Sequence, residues 1–231
     1  MKKSNIQKDL YSQKLERRYR ATLKSDGITL TKKWPVACFG AANAFLVLIG
    51  PSMGGARKGE IGRRGGANRP YRKLMHIGQD VMNFDWGDHR KARWIRLCSE
   101  MLGSEQYVST MTSLLNLDWQ HSTSEKEIPD EYLSNGFSKY IWPLLCKLQP
   151  RIVSPLTNRV WNTVLPKIEE YRVQFTRCPV SLPHEPIFFK FPESDFCTML
   201  IKPHNHPSRF LSYNEIAKIA KACRWFLKQE K

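Results

Sequence analysis

The sequence predicts an α/β protein, a three-layer α/β/α sandwich around a mostly parallel central sheet. Short apolar runs typical of buried strands alternate with longer segments whose apolar residues recur at helical spacing. Three of these strands are followed by polar segments, at residues 50–68, 116–121 and 204–212. Because the carboxyl ends of parallel strands meet at one edge of a sheet, we expect the three segments to form a site there.

Local patterns predict the elements in chain order. Clusters of apolar and β-branched residues between turn signals predict strands at residues 45–49, 107–115, 151–155, 187–191 and 196–201. Helical spacing predicts helices at residues 71–81, 88–102, 129–148, 158–171 and 213–228. Thr157 is expected to cap the fourth helix, and Ser212 with Glu215 forms a capping box for the last.

The chain has 231 residues, of which 41% are hydrophobic, and this is enough for one well-buried domain. We predict a basic N-terminal extension over residues 1–34 and a single domain over residues 35–231. The extension carries ten lysines and arginines against three acidic residues. It is either a solvated charged segment or an arm that follows a nucleic acid backbone.

The formal net charge of +16 is typical of a protein whose partner is rich in phosphate. The six cysteines are scattered singly without a C-x-x-C pair, as expected for reduced core residues of a cytoplasmic protein. The sequence shows no signal peptide, and its apolar stretches are far shorter than the roughly 20 residues of a membrane span. We therefore expect a soluble cytoplasmic protein without membrane contact.

The segment after the first strand begins with Gly50, Pro51 and Ser52 and continues through glycines and basic residues to residue 74. Residues 57–73 carry seven lysines and arginines against one acidic residue, among them Arg57, Lys58, Arg63 and Arg64. Glycines allow a close backbone approach, so the pattern favours an anionic ligand. The segment lacks both G-K-[ST] and G-x-G-x-x-G, which disfavours nucleoside triphosphates.

Metal and cofactor chemistry are not indicated. The sequence contains neither H-E-x-x-H nor H-x-E with P-C-x-x-C, which excludes zincins and zinc deaminases. His204 and His206 stand two residues apart, but no thiolate or carboxylate cluster at ligand spacing accompanies them. We therefore expect no metal and no organic cofactor.

Three motifs together resemble those of the uracil-DNA glycosylase superfamily, most closely its mismatch-specific branch. LIGPS at residues 48–52 and NRPYRK at 68–73 resemble the family's G-I-N-P-G strand end and its N-R-F-W-K segment. Asn116, at the end of LLN, resembles the asparagine that reads the base edge in the uracil-specific branch. HPS at residues 206–208, followed by Leu211 and Ser212, is similar to the closing H-P-S-P-L-S motif.

The resemblance implies a monofunctional DNA glycosylase that flips a nucleotide from duplex DNA, acts as a monomer and leaves an abasic site. Its base pocket would contain Gly50, Pro51, Ser52, Tyr71 and Asn116. His206 would donate to the departing base, and Asn116 would bind the flipped pyrimidine. The DNA contacts implied are Ser52 and Ser208 to phosphates, Arg209, Phe210 and Leu211 as a wedge in the duplex, and the basic loop residues named above.

One departure from the family affects the chemistry. Gly50 occupies the position that normally holds the water-positioning Asp, Glu or Asn. Either another residue supplies that group, with Asn68, Asp85, Asp88 and Asp118 as candidates, or the protein binds DNA without cutting it.

The absent side chains at Gly50, Gly54 and Gly55 also predict an enlarged pocket. This favours a modified pyrimidine, such as a hypermodified cytosine of phage DNA, and a role in antiviral defence. Two alternatives remain open: a repair glycosylase for uracil or for G:T and G:U mismatches, and an inert DNA-binding module.

Each site residue also has a structural alternative. Asn116 would then be a turn residue, His206 a histidine without a ligand and Asn68 a helix cap. Tyr71 and Trp119 would be core aromatics.

Overall fold

The structure, a computed structural model, describes residues 38–40, 44–51, 75–77, 88–117, 126, 128–203 and 212–229. Within these residues, seven strands form one sheet in the order β3-β1-β4-β2-β5-β7-β6. They are β1 (Cys38–Gly40), β2 (Leu46–Gly50), β3 (Met75–Ile77), β4 (Thr112–Asn116), β5 (Ile152–Pro155), β6 (Ile187–Phe189) and β7 (Thr198–Leu200).

The four central strands, β4, β2, β5 and β7, run parallel to one another. On one side β1 pairs antiparallel with β4 and parallel with β3, and on the other β6 pairs antiparallel with β7. The predicted α/β fold with a mostly parallel sheet flanked by helices is therefore confirmed.

The described helices are α1 (Asp88–Leu102), α2 (Val108–Met111), α3 (Asp130–Gly136), α4 (Trp142–Leu148), α5 (Asn158–Glu169) and α6 (Tyr213–Gln229). A 3-10 turn, Glu105–Tyr107, precedes α2, and a π-helical turn, Phe137–Ile141, joins α3 to α4. None of the helices that the structure describes is long and apolar enough to span a bilayer.

The sheet separates two hydrophobic cores, because alternate residues of a strand face opposite sides. In β2, Val47 and Ile49 pack in the core under α3, α4 and α5, whereas Leu46 and Leu48 pack under α1 and α6. Strands buried on both faces are expected of a parallel sheet between helical layers.

Most predicted elements are present, with shorter strands. Helix α1 has the predicted bounds, and both predicted helix caps are confirmed. Thr157 Oγ1 accepts a hydrogen bond from the Val160 amide at 3.2 Å, and Ser212 Oγ accepts one from the Glu215 amide at 3.2 Å.

Two of the predicted elements are wrong in part. Residues 71–81 are predicted helical, but their described part, Met75–Ile77, is strand β3, which pairs with β1. Residues 107–115 are predicted to be one strand, but the chain is helical up to Met111 and extended only from Thr112. Strand β1 has no counterpart among the predicted elements.

Candidate functional site

The topology places one crevice at the carboxyl edge of the sheet. After β2 the chain continues to strands on the β4 side, whereas after β5 it continues to β6 and β7 on the opposite side. In open α/β sheets, ligands bind where neighbouring strands lead away in opposite directions. The crevice therefore lies between the ends of β2 and β5, beside Gly50 and Leu156.

Backbone hydrogen bonds fix the two strands that flank β2 at this edge. The Leu117 amide, just after β4, donates to the Gly50 carbonyl at 3.0 Å. The Leu156 amide, just after β5, donates to the Ile49 carbonyl at 2.9 Å. The three strand ends are thus held in register, and Asn116 of β4 lies directly opposite Gly50 of β2.

Gly50 is required by the position of the Asn116 side chain. A Cβ atom at residue 50 would lie 2.6 Å from Asn116 Oδ1, closer than a Cβ atom approaches other heavy atoms in proteins. The same added Cβ atom would lie 3.7 Å from Leu156 Cδ1, on the β5 side. The amide of Asn116 therefore extends over the end of β2, beside the crevice.

This arrangement changes two expectations about the pocket. Asn116 is the last residue of β4 and its side chain is only 1% exposed, so it is a strand residue and not the turn residue of the alternative interpretation. The expected empty volume beside Gly50 is wrong, because Asn116 Oδ1 occupies it. Pro51 is buried at the same edge.

Helix α3 also fixes the end of β4. A Cβ atom at Gly136 would lie 1.9 Å from the Leu117 carbonyl oxygen, so α3 packs directly against the backbone that follows Asn116. Only a glycine permits this approach. Two glycines, at positions 50 and 136, thus allow the close contacts on either side of Asn116 and Leu117.

Lys202 is a buried cation at the same edge that the sequence analysis did not identify. Its side chain is 1% exposed, two residues beyond β7, and Nζ donates to the Pro203 carbonyl at 2.7 Å. Burial lowers the pKa of Lys202, and the charge of Glu215 partly opposes this change. The sequence signal that could have identified Lys202 is its position directly after the apolar residues of a strand.

Ser154 lies one row below the crevice, opposite Leu48 in the register of β5 and β2. Its hydroxyl is fully buried and has no hydrogen-bond partner among the residues that the structure describes. Such a group loses its hydration without compensation, which costs about 1–3 kcal/mol. Ser154 is therefore a weak point in the packing beneath the site.

Cys98, Cys146, Cys178, Cys197 and Cys223 form no disulfide bond among the described residues. Burial raises the pKa of Cys98 to about 12, and it raises the pKa of Cys223 further. These two thiols are therefore protonated and unreactive at neutral pH. Among the described side chains, no group of three or more His, Cys, Asp or Glu residues could hold a metal ion.

Of the predicted site residues, the structure brings together Gly50, Pro51 and Asn116. The other predicted site residues lie outside the described part of the chain: Ser52, Arg57, Lys58, Arg63, Arg64, Asn68, Tyr71, Asp118, His206, Ser208, Arg209, Phe210 and Leu211. Gly54, Gly55, Asp85 and Trp119 also lie outside it, and Asp88 begins α1. The strand ends that precede the three polar segments, however, all lie at the same edge of the sheet, as predicted from the parallel pattern.

Comparisons with known proteins do not assign the chain to a family. A scan against protein-family models finds no match, and a search of curated proteins finds no similar sequence. A functional assignment therefore depends on the geometry of the sheet edge, on charge and on the motifs.

Proposed function

We propose that the protein is a monofunctional DNA glycosylase. It binds a flipped pyrimidine at the carboxyl edge of its sheet and hydrolyses the N-glycosidic bond, leaving an abasic site. The observation that carries the proposal is the buried amide of Asn116, which extends over Gly50 beside the crevice.

The chemistry of an amide suits a nucleobase. The side chain of asparagine offers both a donor and an acceptor, and the edge of a pyrimidine presents both kinds of group. Burial strengthens such hydrogen bonds, because little water competes for them. An amide fixed by its packing over Gly50 also costs little entropy to orient when the base enters.

The distribution of charge supports DNA as the substrate. The segment that follows β2 leaves the sheet beside the crevice and carries seven lysines and arginines between residues 57 and 73. Positive charge at that place would neutralise the phosphates on either side of a flipped nucleotide.

Hydrolysis would break the bond between the base nitrogen and C1′ and form a bond from water oxygen to C1′. Negative charge then accumulates on the departing base, and His206 would donate to it. Gly50 has no group to position the water, so we assign this role to Asn68 or Asp118. Both belong to the polar segments that follow β2 and β4.

We extend the proposal to a modified pyrimidine, such as a hypermodified cytosine of phage DNA, and thus to antiviral defence. Asn116 fills the space beside Gly50, so room for a substituent must come from the loop after β2. Glycines at positions 54 and 55 contribute no side chains there. A repair glycosylase for uracil or mismatched thymine would differ only in the base that it accepts.

The second candidate is a DNA-binding protein without catalytic activity. The described residues that border the crevice are Gly50, Pro51, Asn116, Pro155 and Leu156, and none of these carries a carboxylate. If no residue of the loops positions a water molecule, a base can be bound but not released.

A base-release assay separates these candidates. The purified protein is incubated with uracil-containing, mismatched, unmodified and phage-derived modified DNA, and alkali then cleaves any abasic sites. We expect cleavage of modified DNA only. Cleavage at uracil or mismatches would instead identify a repair enzyme, and tight binding without cleavage of any of the four DNAs would identify the inert binder.

A further inference from the structure

The two helical layers differ in charge. Helices α1 and α6 together contain eight lysines and arginines against three acidic residues. On the opposite face, residues 130–148 with α5 contain four basic against three acidic residues. The excess of positive charge among the described helices thus belongs to the α1 and α6 layer.

Five cations form the exposed surface of that layer, which we call the basic helix face: Arg96, Lys218, Lys221, Arg224 and Lys228. The four from α6 lie within one arc of the helix and follow one another over roughly 15 Å of its axis. The opposite arc is buried through Ile216, Ile219, Cys223 and Phe226. The cations therefore point away from the core.

The residues that the structure describes neutralise little of this charge. Lys218, Lys221 and Lys228 form no ion pair with any residue that the structure describes. Arg224 lies 4.0 Å from Glu100, at the limit of an ion pair. The acidic residues of α1 and α6 are Asp88, Glu100 and Glu215, against eight lysines and arginines, so positive charge remains in excess.

The opposite layer contains ion pairs instead. Arg159 pairs with Asp130, Lys167 pairs with Glu170, and Arg172, just beyond α5, pairs with Glu169. Its cations are thus used within the fold, whereas most of those on the basic helix face are available to a partner.

An exposed aromatic residue lies at the start of this face. Tyr213 is 70% exposed, and the guanidinium of Arg96 stacks over its ring at 3.8 Å. This contact holds a planar cation in place on the surface without neutralising it. A guanidinium presented in this way suits the bidentate binding of a phosphate.

The basic helix face and Asn116 lie on the same side of the sheet. Leu114, two residues before Asn116 in β4, packs in the core under α1 and α6, and alternate strand residues share a face. Leu156, which borders the crevice, belongs to the same core. Tyr213 begins α6 ten residues beyond Pro203, where the chain leaves the same sheet edge.

We propose that the basic helix face binds the phosphate backbone of DNA that extends beyond the site at the sheet edge. A polyanion with regularly spaced phosphates fits a row of lysines that have no ion pair among the described residues better than a protein surface does, because acidic groups on a protein surface are mixed with apolar ones. The 17 residues of α6 extend about 25 Å. At about 3.4 Å per base pair, this length corresponds to roughly seven base pairs.

Binding of unmodified duplexes of two lengths tests this surface, and it does not depend on catalysis. The variant is Lys221→Gln with Lys228→Gln, and the matched control is Lys139→Gln with Lys147→Gln on the opposite layer, which changes the net charge equally. Affinity is measured against salt concentration for duplexes of about 12 and about 30 base pairs.

We expect the variant to bind the longer duplex about tenfold more weakly at low salt, with a salt slope reduced by up to about 2. The control should show wild-type behaviour with both duplexes, and the variant should also bind the shorter duplex more weakly, because about 12 base pairs exceed the length of α6. Two results would each overturn the proposal: a wild-type slope in the variant, or equal weakening in the control. Because base release is not measured, failure of the glycosylase assignment would leave this result interpretable.

Discussion

Gly50 and Asn116 form one structural feature, although 66 residues of sequence separate them. The glycine lies at the end of β2, and the amide from β4 occupies the space that a side chain would need. The Asn116 side chain can therefore lie where it does only because residue 50 has no side chain. This relation supplies the binding group of the proposed site but leaves position 50 without a side chain that could position water.

Gly50→Ala tests the relation directly. A Cβ atom 2.6 Å from Asn116 Oδ1 must displace the amide, so we expect a loss of stability of about 1–3 kcal/mol and at least tenfold slower base release. Thermal denaturation and the base-release assay measure the two effects.

Gly103→Ala is the matched control. A Cβ atom added at Gly103 would have no atom within 4 Å, but the φ of this residue is +85°. The substitution should therefore cost about 1–2 kcal/mol of backbone strain. Its base release should equal that of the wild type. Unchanged base release in Gly50→Ala would show that the amide has no role.

Ser154→Ala should stabilise the protein. The hydroxyl is buried in β5 without a hydrogen-bond partner in the described part of the chain, so its removal relieves a desolvation cost at little loss of packing. We expect a gain of about 1 kcal/mol in the free energy of unfolding, measured by denaturant titration. The control Ser138→Ala, at an exposed position, should change the free energy of unfolding little. A loss of stability in Ser154→Ala would show that the Ser154 hydroxyl forms a hydrogen bond.

At the scale of elements, helix α3 fixes the end of β4 through Gly136. Replacing a helical glycine by alanine normally gains about 1 kcal/mol from helix propensity. Here the new Cβ would lie 1.9 Å from the Leu117 carbonyl oxygen, which neither backbone can accommodate without moving.

We therefore expect Gly136→Ala to destabilise the protein by about 2–3 kcal/mol, opposite in sign to the propensity effect. Denaturant titration measures the change. A stabilised variant would show that α3 does not pack against the residue that follows Asn116.

Elements with a strong local pattern were predicted well. Helix α1 has an acidic start, a continuous apolar face and a glycine after its last residue, so its bounds follow from its own sequence. Elements that depend on pairing with a distant segment were predicted poorly. Met75–Ile77 lies in a segment whose apolar spacing predicts a helix, but it forms a strand by pairing with β1, whose three residues have no strand pattern of their own.

The same contrast between local patterns and distant contacts applies to the site residues. Asn116 was predicted because a polar residue ends an apolar run, which is visible locally. Its contact with Gly50 depends on the register between β2 and β4, which no local sequence pattern predicts. Lys202 was missed because lysine is normally a surface residue, and its burial follows from the packing around the end of β7.

At the scale of the whole molecule, sheet order and charge are related. The order of the central strands places the crevice between β2 and β5. The alternation of side chains then directs Asn116 to the side of α1 and α6, which is also the more basic layer. A nucleotide in the crevice would therefore belong to a DNA molecule that passes the basic helix face.

The most direct test of the assignment is the single-turnover rate of base release by Asn116→Ala on the DNA that the wild type cleaves. We expect a rate at least about 10²-fold below that of the wild type, because the amide binds the departing base. Asn162→Ala, the same substitution at an exposed position of α5, should retain the wild-type rate. Equal rates in Asn116→Ala and the wild type would contradict the proposed site.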